Sequence, residues 1–126
     1  MSMSTPLKKV RGLGASHSGT EHFWQQRLTA LFNLPALVFF LWFILAHLGA
    51  GRADVIASLH NPLIAIGLVL TLASVFWHMR LGMQVIIEDY VHGHATKLAA
   101  IISNNVFVVL MFAASAFSIL KMSFAI

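Results

Sequence analysis

The run His78-Met79-Arg80-Leu81-Gly82-Met83-Gln84-Val85-Ile86-Ile87-Glu88-Asp89-Tyr90-Val91 decides how this chain is read. It closes an apolar segment that opens near Leu63, and so forms the end of a membrane-spanning helix. On a helix the eleven residues from His78 to Asp89 make about three turns, so the two share a face roughly 16 Å apart along the axis. Gly82 lies one turn past His78 on that face, and its missing Cβ leaves room for something flat and wide to approach the backbone. An imidazole inside hydrocarbon, a gap beside it and an Asp-Tyr pair where the segment meets water together suit a haem with a small redox carrier next to it.

Working outward, the composition fixes the class. Of 126 residues, 59% are hydrophobic and only 10% charged, where a soluble domain carries about 25% charged residues. The chain belongs with membrane proteins and has room for one domain. Its formal net charge of +4 does not signal nucleic acid, because the charges flank apolar spans and form no stripe with interleaved aromatics. Cysteine is absent, which excludes disulfides, thiolate zinc, protein-held iron–sulfur clusters and covalent c-type haem within the chain. Any metal is held by His, Met or carboxylate, or arrives inside a cofactor.

Residues 1–26 are polar and Gly/Ser-rich, carrying Lys8, Lys9 and Arg11, and read as a cytoplasmic amino-terminal tail, unstructured over Met1 to Gly12. They lack the short apolar core and cleavage site of a secretory signal. Thr20-Glu21-His22-Phe23-Trp24 marks a helix start, with Ser18 or Thr20 as cap and aromatics at the headgroups. Residues 27–126 form a three-helix membrane domain with spans at roughly 28–48, 63–87 and 98–120, each long enough to cross a bilayer at about 20 residues. Pro35 removes one hydrogen bond from the first span and marks a site for a kink. A loop from Gly49 leads to Asn61-Pro62, where the proline opens the second helix. Glu88 to Lys97 form a compact polar loop with Gly93 as its turn residue. The fold class is therefore all-α, with three transmembrane helices. Lys8, Lys9, Arg11, Arg27 and Lys97 lie on one side against Arg52 and Lys121 on the other, so the amino terminus faces the cytoplasm and the carboxyl terminus faces outward.

Most polar residues are adequately read as surface. That holds for His17, His60, His92 and His94, and His47 lies near the outer end of the first span. His22 stands near the cytoplasmic surface, in contact with headgroups or with a buried anion. His78 differs because ionisable groups inside the hydrocarbon are costly and face a bundle interior or a cofactor. Two readings stand on the residues alone: a neutral imidazole bonded to a neighbouring helix, or an axial haem ligand. A haem b that only transfers electrons takes two axial nitrogens, and no second histidine lies at that depth, so the other ligand comes from another chain. Arg27 is a positive-inside anchor, and a guanidinium there also suits haem propionates. Arg80 either snorkels toward the cytoplasmic surface or faces a partner. Tyr90 and Asp89 read as a solvated helix end, or as hydroxyl donor and proton supply for a quinone. A self-contained cytochrome b pairing His78 from two copies, and a haem-free transporter or structural subunit, are the competing classes.

The pattern His78, Gly82, Asp89-Tyr90-Val91-His92-Gly93, preceded by His22-Phe23-Trp24-Gln25-Gln26-Arg27-Leu28-Thr29-Ala30, resembles the small hydrophobic membrane-anchor subunits (the D-type anchors) of succinate dehydrogenase, respiratory complex II, of the alphaproteobacterial and mitochondrial type. The resemblance runs from about Gly19 to the end. It implies half of a six-helix anchor bundle completed by a second, C-type anchor subunit. An iron–sulfur subunit and a flavoprotein subunit would then sit on the cytoplasmic side of a bacterial inner membrane. It further implies that His78 ligates haem iron, that Arg27 lies near the propionates, and that Tyr90 bonds ubiquinone with Asp89 beside it. Under that resemblance the chain is a non-catalytic subunit of an enzyme of the tricarboxylic acid cycle and respiratory chain.

Overall fold

A computed structural model describes residues 5–10 and 19–124 of the chain. Among them the elements are α1 (Pro6–Val10), α2 (Gly19–Ala46), α3 (Arg52–Leu59), α4 (Pro62–Tyr90) and α5 (His94–Ser123). Three of these, α2, α4 and α5, are long and apolar enough to cross a membrane. The tail is helical over Pro6–Val10, in place of the unstructured segment that its composition suggests; Thr5-Pro6 supplies a start suited to a short helix. Residues 1–4 and 11–18 of the expected tail, His17 and Ser18 among them, lie outside the described residues.

The spans begin and end differently from the apolar runs because backbone bonding carries helix past the hydrocarbon. Helix α2 starts at Gly19, inside the segment read as tail, and passes Pro35 as one element. It stops at a turn where Gly49 has a φ of 78°, a left-handed conformation that glycine adopts without strain. The connection expected to be a loop contains α3. Asp54 in its first turn accepts from the Gly51 N–H at 3.0 Å, which fixes that start. Asn61 then caps α4 by accepting from the Leu63 N–H at 3.0 Å, with Pro62 in the first turn as the sequence indicates.

The polar loop between the second and third spans contracts to residues 91–93, so Asp89 and Tyr90 sit in the last turn of α4. The Val91 N–H still bonds to the Ile87 carbonyl at 3.0 Å. The Lys97 ammonium donates to the Glu88 carbonyl at 2.9 Å, a cation placed on the negative end of α4.

Helix α4 is the middle of the molecule. It packs against α2 on one flank and α5 on the other, and the backbones of α2 and α5 do not approach each other among the described residues. The spans therefore form one layer. Small residues permit the close crossing with α2: a Cβ on Gly67 would meet the Phe39 ring at 2.9 Å. At the end far from Tyr90 α3 folds over the layer, and Phe43, Leu59 and Leu68 form a buried cluster, with Phe39, Val55, Ile64, Ile119 and Met122 around them. Leu59 is only 1% exposed. Side-chain bonds fasten that end: His47 Nε2 lies 2.7 Å from Ser58 Oγ and its Nδ1 2.8 Å from the Phe43 carbonyl. His60 Nδ1 lies 3.0 Å from the Ser123 carbonyl. His60 is exposed, as the sequence suggests, and still bonds to the end of α5, while His47, at the end of the first span, ties α2 to α3.

Candidate functional site

Polar residues at helical spacing on α4 meet polar partners on α2 along their shared seam. The Thr71 hydroxyl donates to the Gly67 carbonyl at 2.8 Å, with the Ala36 carbonyl at 3.5 Å. The Ser74 hydroxyl donates to Asn33 Oδ1 at 2.7 Å. One turn further on, His78 Nδ1 lies 3.0 Å from Thr29 Oγ1. Residues 71, 74 and 78 repeat at three and four, so one stripe of α4 faces α2.

The Thr29 contact bears on the histidine tautomer, because a ring nitrogen can donate to the hydroxyl or accept from it. The Thr29 hydroxyl has one proton, and its oxygen lies 2.8 Å from the Gln25 carbonyl and 3.0 Å from the Gln26 carbonyl. A proton given by Thr29 to either carbonyl makes Nδ1 the donor in this contact and, in a neutral ring, puts the lone pair on Nε2. Nε2 has no hydrogen-bond partner among the described residues. A histidine that binds metal is usually held this way, its second N–H anchored by an oxygen. Thr29 is not among the site residues that the sequence suggests. Its spacing from Asn33, matched by Ser74 and His78 on α4, is the signal that points to it.

Gly82 sits about 40° round α4 from His78. Nothing lies within 4 Å of where its Cβ would be, so unlike Gly67 it is not used for packing inside this chain. Arg27 is within a turn of Thr29 but on the opposite side of α2, where its guanidinium lies 4.6 Å from the centre of the Phe23 ring. The structure therefore joins His78 to Thr29 and leaves Arg27 apart, free of any carboxylate among the described residues. Asp89 lies about 20° and Tyr90 about 120° from the His78 direction around the axis. Both are exposed, Tyr90 at 78%.

His22 is turned inward, against the alternative of headgroup contact. It precedes Thr29 by seven residues on the same face of α2, and its Nε2 is closed off without a hydrogen-bond partner. Arg80 does not snorkel: Nε donates to Asn105 Oδ1 at 2.6 Å on α5. Among the described residues no group of three His, Cys, Asp or Glu could hold a bare metal ion, and His92 and His94 are exposed.

A layer of three apolar helices with a polar seam and a free imidazole nitrogen defines a multi-pass membrane protein. The chain belongs to the succinate dehydrogenase/fumarate reductase transmembrane subunit family, whose model matches residues 1–118. Among its relatives, the succinate dehydrogenase membrane anchor subunit of Reclinomonas americana is 33% identical over 87 residues, covering 67% of this chain and 72% of that one. The hydrophobic membrane anchor subunit of Rickettsia bellii is 31% identical over 104 residues, 82% of this chain and 83% of the relative. That of Paracoccus denitrificans is 28% identical over 118 residues, 94% and 91%. No solved structure matches the chain. The resemblance carried by the His78-to-Val91 run is thereby confirmed at the level of family: the chain is a membrane-anchor subunit, non-catalytic by itself.

Proposed function

We propose that this chain co-ligates haem b and forms part of the ubiquinone-reduction site of a succinate–ubiquinone oxidoreductase. The observation that carries the proposal is the 3.0 Å contact of His78 Nδ1 with Thr29 Oγ1, which leaves Nε2 without a partner among the described residues. The residues fit the group. Neutral imidazole is the donor haem iron takes, Gly82 leaves open space a turn away, and His22 adds an inward polar atom with no partner. Arg27, free of acidic partners among the described residues, is available to a propionate after its side chain leaves Phe23. Bound haem supplies one-electron storage beside the quinone.

The chain's own residues do the rest. Thr29 holds the imidazole in the ligating tautomer, Tyr90 offers a hydroxyl donor to a quinone carbonyl, and Asp89 orients the ring and passes protons from water. Partners would complete the assembly: a second, C-type anchor with three helices of its own would supply the other haem ligand and close a six-helix bundle, with iron–sulfur and flavoprotein subunits delivering electrons. The Lys/Arg distribution supports an amino terminus on the cytoplasmic side, and bacterial relatives support a bacterial inner membrane as its location.

The test is a reduced-minus-oxidised spectrum of the tagged protein, gently purified from its native membrane, with the co-purifying chains identified. A b-type signal beside three other subunits is expected, and His78→Ala should remove most of that signal. Unchanged haem content in His78→Ala would defeat the assignment. Haem on this chain alone would favour a self-contained, homo-oligomeric cytochrome b. No haem and no partners would leave a haem-free transporter or structural subunit.

A further inference from the structure

Arg80 is a cation inside a membrane-spanning helix, ten residues before Tyr90 and therefore about 15 Å along α4 from its end. It lies about 200° round the helix from His78, on the flank that meets α5. Two asparagines of α5 hold it there. Asn105 Oδ1 accepts from Nε at 2.6 Å, and Asn104 Nδ2 donates to the Arg80 carbonyl at 3.1 Å. The guanidinium carbon lies 5.0 Å from the centre of the Trp77 ring. These contacts use Nε and orient the group without neutralising it. The two terminal nitrogens have no acceptor among the described residues. Nor can this chain provide an anion: its four acids are Glu21, Asp54, Glu88 and Asp89, all at helix ends. Arginine keeps its charge in proteins, and a charge at this depth calls for a counter-anion from outside the chain.

A crevice beside Arg80 indicates which anion. A cavity of about 370 Å³ lies between α4 and α5, bounded by Arg80 and Asn105 and otherwise by Ala73, Phe76, Trp77, Val108, Val109 and Phe112. It follows the helices for about 10 Å, cationic at the end nearer Tyr90 and apolar toward the middle of the span. A membrane leaflet presents groups in that order, phosphate first and acyl chain after. A partner helix, about 10 Å across, is too wide for a crevice between two packed helices, whereas an acyl chain is narrow enough. We propose that this crevice binds an anionic glycerophospholipid, its phosphate on the Arg80 guanidinium and one acyl chain along Trp77, Val109 and Phe112. Local thinning of the bilayer, one of the ways a membrane accommodates a buried arginine, brings the phosphate to this depth.

The test is native mass spectrometry of the intact, delipidated complex titrated with dioleoyl phosphatidylglycerol or dioleoyl phosphatidylcholine. Wild type should bind the anionic lipid roughly fivefold tighter, the preference expected for one basic side chain at the membrane. Arg80→Gln should abolish the preference with subunit composition intact. Arg80→Lys should keep most of it. Val109→Phe, at an exposed position lining the crevice, should weaken both lipids while leaving the charge in place. No preference in wild type, or an intact preference in Arg80→Gln, overturns the proposal. So does loss of another subunit from Arg80→Gln with lipid binding unchanged, since the guanidinium would then pair with a protein carboxylate. If Arg80→Gln does not assemble, the lysine and Val109→Phe variants decide the matter by the same outcomes.

Discussion

At the residue scale, a hydroxyl decides what an imidazole can do. His78 alone is compatible with a bonded packing residue or with a ligand. Thr29 engages Nδ1 and leaves Nε2, so the same hydrogen bond that ties α4 to α2 would, under the proposed function, orient a metal ligand. Thr29→Val removes the acceptor while keeping the shape. Haem affinity should fall by about 10- to 100-fold, as for other partners of metal-bound histidines, and Thr29→Ser should restore it. Haem retention during detergent washing, read optically, checks this; equal retention in Thr29→Val would show that the threonine serves packing alone. Tyr90 stands at the other end of the site, exposed and without a hydrogen-bond partner among the described residues. Tyr90→Phe should lower quinone reduction by about tenfold or more, about 1.4 kcal/mol of lost hydrogen bonding at the reacting carbonyl. Succinate oxidation with a soluble dye should be unchanged. Parallel loss of both activities would mean misassembly instead of a quinone contact.

At the element scale, two glycines on α4 have opposite uses. Gly67 is consumed by the crossing with α2, where Phe39 would be 2.9 Å from an added Cβ, whereas Gly82 faces space that this chain leaves open. Gly67→Leu should cost about 1–3 kcal/mol through overpacking, seen as a lowered midpoint in thermal denaturation of the detergent-solubilised complex. Gly82→Leu should leave the packing of α4 on α2 and α5 intact and displace whatever lies over His78, measured as lost haem. If Gly82→Leu retains full haem, the open face is not the cofactor side. The helices themselves are largely legible in the sequence, because each carries an apolar run long enough to span and α4 opens on an unambiguous Asn-Pro start. Their ends are not. Asp89, Tyr90 and His94 to Lys97 are polar and read as loop, yet backbone bonding continues through them. Helix α3 escapes notice because an eight-residue, weakly patterned segment takes its stability from packing of Leu59 and Val55, which local sequence does not display.

At the scale of the whole molecule, a single layer of three helices leaves apolar surface on both faces, including Phe32, Leu70 and Val109. Lipid covers such surface as well as protein does, so association depends on close packing and polar contacts. Expressed without its partners, the chain should insert but bind haem at least about tenfold less than when co-expressed with a second anchor chain, because one axial ligand is missing. The haem-to-protein ratio in purified membranes measures this, and a full ratio from the chain alone would sink the shared-ligand assignment. The sequence by itself determined the membrane class, the three spans and the face joining His78, Gly82 and Asp89, since these depend on apolar length and on the fixed period of a helix, about 3.6 residues. Only the tertiary structure decided that Thr29 orients His78, that Arg27 is turned aside, and that Arg80 belongs to α5. Those depend on which helix flanks which, and on contacts 25 and 49 residues apart in the chain, which periodicity cannot encode.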